Sequence, residues 1–406
     1  MLRQPNILWI ITTQWRAAAA GYKGDSNART PWLDGLASEA TDYTQAVTPH
    51  PLGPQARAAL LTGKHCPENG VSSYWDPLPH ETRTVANALG DRGYATAFFG
   101  KWHLARRNKE APFVGEEHAK MIVPPTQRGG FEFWEGFESG FLINDPWLHG
   151  TRLLEPKLFK GYQADVLVQR AAEWMKIERS KPLFCVISME SPHPPYHVPA
   201  PHVTKINPSL VKLNPNVPSG GKFEEKVRTE IAGYYAHIEA TDRSLGKLIT
   251  EVDLNNTILV FTSVHGDMHG AHGLFRKGWP YEESVRVPFV VKDFRSHKYK
   301  SMDDAPVSLV DLSHMSLAWA EGREWKCRKD SALISMPVAS GIALQCDRAW
   351  RGLRTSKHKF VLNTDDSPWL YFDLERDPFE LTNLVGEVGR VEEIERLRLR
   401  LNSSPG

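Results

Sequence analysis

The stretch Thr257–Pro288 reads TILVFTSVHGDMHGAHGLFRKGWPYEESVRVP. Its opening residues, Thr257–Thr262, are a short apolar run of the kind that forms a strand buried on both faces. The run passes straight into Ser263-Val264-His265-Gly266-Asp267. In an open parallel sheet, ligands bind in the crevice beyond the carboxyl ends of the strands, so a strand ending in polar groups marks a site. Working outward, Ile7–Ile11, Ala95–Phe99 and Leu183–Ile187 are further apolar runs of strand length. Each soon meets polar residues: Thr13-Gln14 after the first, Lys101 and His103 after the second, and His193 after the third. A further cation, Lys277, stands in the Lys277-Gly278 turn.

Helical patterns separate these runs. Pro31 opens one, with Thr30 as the expected N-cap and proline at the first helical position. From about Glu225 to Val252, the residues Val227, Ile231, Tyr234, Ile238, Leu245, Leu248 and Val252 keep three- and four-residue steps, which is one apolar helix face. Leu52–Thr62 reads as a helix start with Pro54 near its first turn. Alternating strands and helices imply an α/β fold with a doubly wound, mostly parallel sheet. Arg107–Gly150, rich in Pro, Gly and aromatics, reads as irregular pocket wall. After about Glu321 the pattern changes. Asp347–Leu362 and Trp369–Leu374 read as short alternating strands, and Val388–Leu401 as a charged amphipathic helix. The expected organisation is a main domain over residues 1–320 and a small C-terminal antiparallel subdomain over residues 321–406.

Five motifs follow one another along the chain: Pro5-Asn6-Ile7-Leu8-Trp9-Ile10-Ile11-Thr12, Thr30-Pro31 with Leu33-Asp34 and Leu36-Ala37, Gly100-Lys101-Trp102-His103, Ser191-Pro192-His193-Pro194-Pro195-Tyr196, and the Thr257–Pro288 stretch. In this order they resemble the sulfatase family of the alkaline phosphatase superfamily. Arg354–Phe360 and Leu370–Glu380 resemble the family's C-terminal subdomain. The resemblance implies an alkaline phosphatase-like sheet. It also implies a site in which Lys and His side chains hold a sulfate or phosphate, an Arg matching Arg57 supports the nucleophile, and Asp and His residues hold a divalent metal.

This chain departs from that pattern where the family's chemistry is concentrated. The family's S-D-H-G-D here carries Val264 in place of its first Asp, and the Asp after the opening strand is replaced by Thr13. The family nucleophile, a Cys or Ser converted to formylglycine, falls at Gly53 when Arg57 and Leu60-Leu61-Thr62-Gly63 set the alignment, or at Leu52 when Pro54 does. Neither can form an aldehyde. Losing the Asp ligands together with a dication is close to charge-neutral. What remains is a set of two lysines, an arginine and several histidines. The expectation is therefore no metal and no cofactor. Lys101, His103, His193, His265 and Lys277 are the candidate catalytic groups. Arg57, Gln14, Thr13 and Asp267 are the candidate substrate-binding groups. A buried lysine among cations can lose its proton and act as a base, and a histidine can move protons near neutral pH. Thr13 offers a hydroxyl, but no base is visibly aimed at it. The spacing of His265, His269 and His272 is a weak metal pattern.

Composition narrows the function classes. The chain has 406 residues and a net charge of +1, without a dense basic run, which argues against a nucleic-acid partner. No apolar run reaches the roughly 18 residues of a membrane span. Cys66, Cys185, Cys327 and Cys346 lack metal or redox spacing and read as free thiols, with Cys185 in the core. The first residues show no signal-peptide pattern, so a cytoplasmic location is expected. The expected partner is a small anionic molecule, and assembly into a homo-oligomer stays open. Thirteen tryptophans, among them Trp15, Trp75, Trp134, Trp147 and Trp279, suggest an aromatic pocket wall. Three functions fit: metal-free Lys/His acid–base chemistry on an anion (elimination, isomerisation, decarboxylation or condensation), a binding protein that keeps the anion pocket, or ester hydrolysis by a nonstandard route.

Overall fold

A computed structural model of the protein describes residues 4–203, 205–295 and 300–403. The main sheet is built from β1 (Asn6–Thr12), β2 (Thr41–Tyr43), β3 (Ala95–Lys101), β4 (Phe133–Phe137), β5 (Trp147–Gly150), β6 (Lys157–Leu158), β7 (Leu183–Ser188), β8 (Thr257–Ser263), β9 (Phe289–Asp293) and β10 (Ser301–Asp303). Their order across the sheet is β10-β2-β9-β8-β1-β7-β3-β4-β5-β6. The centre, β8-β1-β7-β3-β4, is parallel throughout. Antiparallel pairings begin at β9 on one side and β5 on the other.

Side-chain alternation explains why the central strands are apolar along their whole length. Leu8 and Ile10 of β1, with Cys185, Ile187, Leu259 and Phe261, face helices Pro31–Ala37, Gln163–Met175 and Gly221–Glu251. Ile7, Trp9 and Ile11, with Phe184, Val186, Ile258 and Val260, face helices Gly53–Thr62, Val85–Gly90 and Asp311–Ala320. With both faces covered, polar side chains before the strand ends need partners, as Glu135 of β4 finds in Arg152 and Arg170 and Thr96 of β3 in the Glu132 amide.

The long helix spans Gly221–Glu251, which extends the expected segment at its start. Thr30 precedes helix Pro31–Ala37 but does not cap it. Its hydroxyl donates to Asp34 and accepts from the Gly21 amide, while the Trp32 and Leu33 amides donate to Asp242 of the long helix. A carboxylate from a neighbouring helix has taken over the capping role.

Two further expectations are corrected. Arg107–Gly150 is not merely irregular, because it contributes β4 and β5 to the main sheet. The C-terminal sheet has four antiparallel strands, and the first, β11 (Ser331–Met336), was not anticipated. It is followed by β12 (Trp350–Thr355), β13 (His358–Asn363) and β14 (Pro368–Asp373). Helix Val391–Ser403 covers one face through Ile394, Leu397 and Leu401. The other face packs Ile334, Met336, Trp350 and Phe372 with Val47, Leu52, Tyr74 and Val285 of the main domain. All four cysteines are free.

Candidate functional site

Strand register sets four ends side by side. Ile11 pairs with Ser188, Thr12 with Ser263, and Gly100 with Ser188. The residues just beyond therefore open into one crevice, as the sequence implied. It is a cavity of about 440 Å³, lined among others by Thr13, Gly53, Lys101, His103, His193, His265 and Lys277. Arg57, Gln14 and Asp267 do not line it. They stand behind the lining and hold it in place.

Asp267 is wholly engaged by the protein. One of its oxygens accepts from the His269 and Arg276 amides, each at 3.0 Å. The other accepts from the Tyr196 hydroxyl at 2.9 Å and from the Gln14 amide nitrogen. Direct substrate contact by Asp267 is thus a corrected expectation, since no oxygen is left for it. Anchored this way, Gln14 turns its Oε1 toward Lys277 Nζ, 2.6 Å away. Arg57 donates to Thr13 Oγ1 at 2.9 Å, and Thr13 in turn donates to the Met189 carbonyl at 2.9 Å. The Thr13 hydroxyl has no base beside it and is a structural link.

The hydrogen-bond network fixes the tautomers of His193 and His265. His193 Nδ1 lies 2.7 Å from the Pro194 carbonyl, so it carries the proton, and the Nε2 lone pair meets Lys277 Nζ at 2.9 Å. His265 Nδ1 likewise faces the Gly266 carbonyl at 2.8 Å, which leaves Nε2 buried and unpartnered. His103 contacts the Tyr74 hydroxyl through Nε2 at 3.3 Å, and its Nδ1 has no partner.

The two lysines differ in their surroundings. Lys101, 1% exposed, is paired with Glu190 at 2.5 Å. Glu190 was not anticipated, and it adds a carboxylate to the set of two lysines, an arginine and several histidines expected there. Burial pushes Lys101 down to about 8, with Arg57 and Arg107 adding to the effect and Glu190 opposing it. Lys277 has no carboxylate ion-pair partner among the described residues, and burial followed by the nearby Lys101 drives it well below the ordinary lysine value. Burial, reinforced by these cations, also holds His103, His193 and His265 far below the usual imidazole range. All three are neutral at pH 7.

The upper walls are aromatic, but they contain no tryptophan. Trp15 and Trp134 are core residues, and Trp75, Trp147 and Trp279 do not line the cavity. Phe141 stacks on His193 with ring centroids 4.4 Å apart and lies 4.2 Å from Lys101 Nζ. Tyr74, Phe113 and Tyr196 continue the wall, and the C-terminal subdomain adds Ile342, Ala343 and Gln345. That subdomain is pinned directly behind Lys277: the Cys346 amide donates to the Lys277 carbonyl, and Trp350 Nε1 donates to the Gly278 carbonyl.

The donors at the family's metal position do not suit a hard dication, which demands several free oxygens, mostly from carboxylates. Thr13 Oγ1 and Gln14 Oε1 are already engaged by Arg57 and Lys277. Val264 is buried in apolar packing. Only His265 Nε2 is open, with cationic Arg57 and the Lys277 amine nearby. Nor does His265 join His269 and His272 as a ligand set. Among the described residues, the metal-type grouping is His272, Glu283 and Glu380, away from the cavity floor. The nucleophile position is equally closed. Leu52 packs in the core while Gly53 lines the cavity, and a Cβ on Gly53 would sit 2.8 Å from His103 Nδ1.

A sulfatase family model matches residues 5–322. The chain is 34% identical over 409 residues to an ulvan-active sulfatase of Formosa agariphila, covering 95% of this chain and 78% of that protein. It is 27% identical to an arylsulfatase of Clostridium perfringens, covering 97% and 93%. Among solved structures, YidJ of Bacteroides fragilis, assigned to the sulfatases, superimposes with a TM-score of 0.84 at 25% identity, covering 98% of this chain and 95% of that one. The motifs, the sheet order and these likenesses agree: the chain belongs to the sulfatase family of the alkaline phosphatase superfamily.

Proposed function

We propose that this sulfatase-family chain acts on a small organic anion by metal-free, formylglycine-free acid–base chemistry. Lys101 and Lys277 face the anion, and His193 and His265 move protons. One arrangement carries the reading. Lys277 Nζ sits between Gln14 Oε1 and His193 Nε2, and Lys277 and His193 both line the cavity. The unpartnered Nε2 of His265 lines the same cavity. A fixed lone pair beside amine and guanidinium donors suits proton removal next to an anionic group, the step shared by elimination, isomerisation and condensation, and in its protonated form suits the proton delivery that follows loss of CO2 in decarboxylation. The names of the relatives point to sulfated substrates, and a sulfate group is an anion these cations would hold. Gly53 supplies nothing to attack its sulfur.

The test is to incubate the protein with pooled small organic anions, with and without a chelator, and follow converted masses. Turnover that survives the chelator and disappears in Lys277→Ala supports the proposal. Calcium-dependent hydrolysis of an aryl sulfate would overturn it. Ligand retention without conversion would make the protein a binder.

A further inference from the structure

The cavity above the floor differs sharply from the floor itself. Phe141 lies flat on His193 beside Lys101, and Tyr74 stands edge-on to both His103 and Phe113. Aromatic surface thus runs without a break from the cations to the mouth. There Phe113 and Val114 remain 39% and 57% exposed, and Ile342 faces the cavity from the C-terminal subdomain. Exposed apolar side chains at the rim of a cavity mark a surface that a ligand covers.

Beside the aromatic faces the polar groups are committed to one another, which leaves Gln345, with its Oε1 unpartnered, and His197 as the free polar groups of the upper walls among the described residues. The Tyr74 hydroxyl contacts His103, the Tyr196 hydroxyl donates to Asp267, and Arg276 is bonded to Glu230. A sugar ring needs free donors and acceptors for its hydroxyls, and satisfied wall groups must break existing bonds to provide them. A flat apolar body needs only the ring faces and edges already present.

We propose that the ligand of this site is an amphipathic organic anion, with its charged group on Lys101 and Lys277 and an aromatic or similarly flat apolar body against Phe141, Tyr74 and Phe113. This rests on the anion-binding floor described under the proposed function. It adds that the loop before Val114 and the Ile342 loop of the C-terminal subdomain select the ligand body.

The test is calorimetric titration with three probes: inorganic sulfate, naphthalene-2-sulfonate and N-acetylglucosamine 6-sulfate. Naphthalenesulfonate should bind about tenfold or more tightly than inorganic sulfate, while the sugar sulfate should gain little over it. Phe113→Ser should shrink the ratio of naphthalenesulfonate to sulfate affinity by about fivefold, with circular dichroism confirming the fold. A sugar sulfate that binds as tightly as naphthalenesulfonate, or a ratio unchanged by Phe113→Ser, would overturn the assignment of the walls. If none of the three binds, the anion-binding floor itself fails, and this inference with it.

Discussion

Lys277 Nζ lies 2.6 Å from Gln14 Oε1, and the orientation of that amide is set from behind by Asp267 and the Tyr196 hydroxyl. A neutral oxygen therefore faces the amine where a carboxylate would have formed an ion pair. The same side chain that denies Lys277 a counter-charge also holds it in place. Burial without a counter-ion is costly, and such sites persist where an incoming ligand completes them.

Replacing Lys277 separates ligand binding from folding. Lys277→Met removes a buried amine that is hard to charge, which favours the fold, but it leaves Gln14 Oε1 and His193 Nε2 without a donor. Each effect is about 1–3 kcal/mol and they oppose, so the melting temperature should move by only a few degrees. Loss of a charge-assisted contact to an anion should weaken binding by about tenfold or more. Scanning calorimetry beside a sulfonate titration checks both. Wild-type affinity in the variant would show that Lys277 does not face the anion.

Anion affinity should depend on pH through Lys101. Its amine titrates at about 8 in the free protein, and a bound anion stabilises the charged form. Below that pH the Lys101 charge is present in both states and Lys101 contributes no further change, so any additional rise on acidification reports Lys277. Above it, binding must take up a proton, so affinity should fall by up to about tenfold per pH unit. A sulfonate, whose own charge is constant, is the suitable probe for titrations from about pH 6 to about pH 10. Affinity that rises across this range would exclude the lysines as the anion's partners.

The central strands were legible because both their faces are buried, so the apolar runs are continuous and end where the polar residues begin. β11 was not: Ser331–Met336 alternates buried and half-buried positions, giving it a weaker signature. The polar ends of β1, β3, β7 and β8 could be read as one crevice from topology alone. Glu190 could not be assigned, because its pairing with Lys101 depends on the register of β3 against β7. Nor could sequence distinguish Asp267 as a ligand contact from Asp267 as an anchor. That distinction rests on four donors, from Gln14, Tyr196, His269 and Arg276, which meet only in the folded chain.

Restoring the family nucleophile alone should not restore family chemistry. In Gly53→Cys the new Cβ would lie 2.8 Å from His103 Nδ1, and His103 is itself confined by Tyr74. Overpacking of this kind costs about 1–3 kcal/mol, so a lower melting temperature is expected. The metal position still lacks carboxylates. Elemental analysis of wild type and variant after dialysis against calcium should find no stoichiometric ion at Gln14 and His265, and neither protein should release sulfate from an aryl sulfate. Calcium-dependent release by Gly53→Cys, after exposure to a formylglycine-generating system, would show that His103 yields and that the site still accepts the metal.

Acid stability follows from histidines outside the cavity lining. Burial holds His50 and His269 down to about 3, and His149 and His237 down to about 4, against an ordinary value of 6.5. Between these limits the unfolded chain binds protons that the native state refuses. Stability contributed by the four is therefore complete above pH 6.5 and is lost progressively as pH falls toward 4. Each group contributes a slope of up to about 1.4 kcal/mol per pH unit, so their combined effect exceeds that of an exposed ion pair. Glu138, Asp242 and Glu380, whose buried carboxyls are pushed up to about 7, oppose this between about pH 7 and about pH 5, but the depressed histidines, His65 and the three of the cavity included, outnumber them, so urea midpoints should still fall over that range. His237→Gln retains side-chain hydrogen bonding toward Tyr162 and the Val198 carbonyl and should flatten that slope by about one group's share. A slope left unchanged by His237→Gln would mean that this ring is protonated in the native state, contrary to its burial.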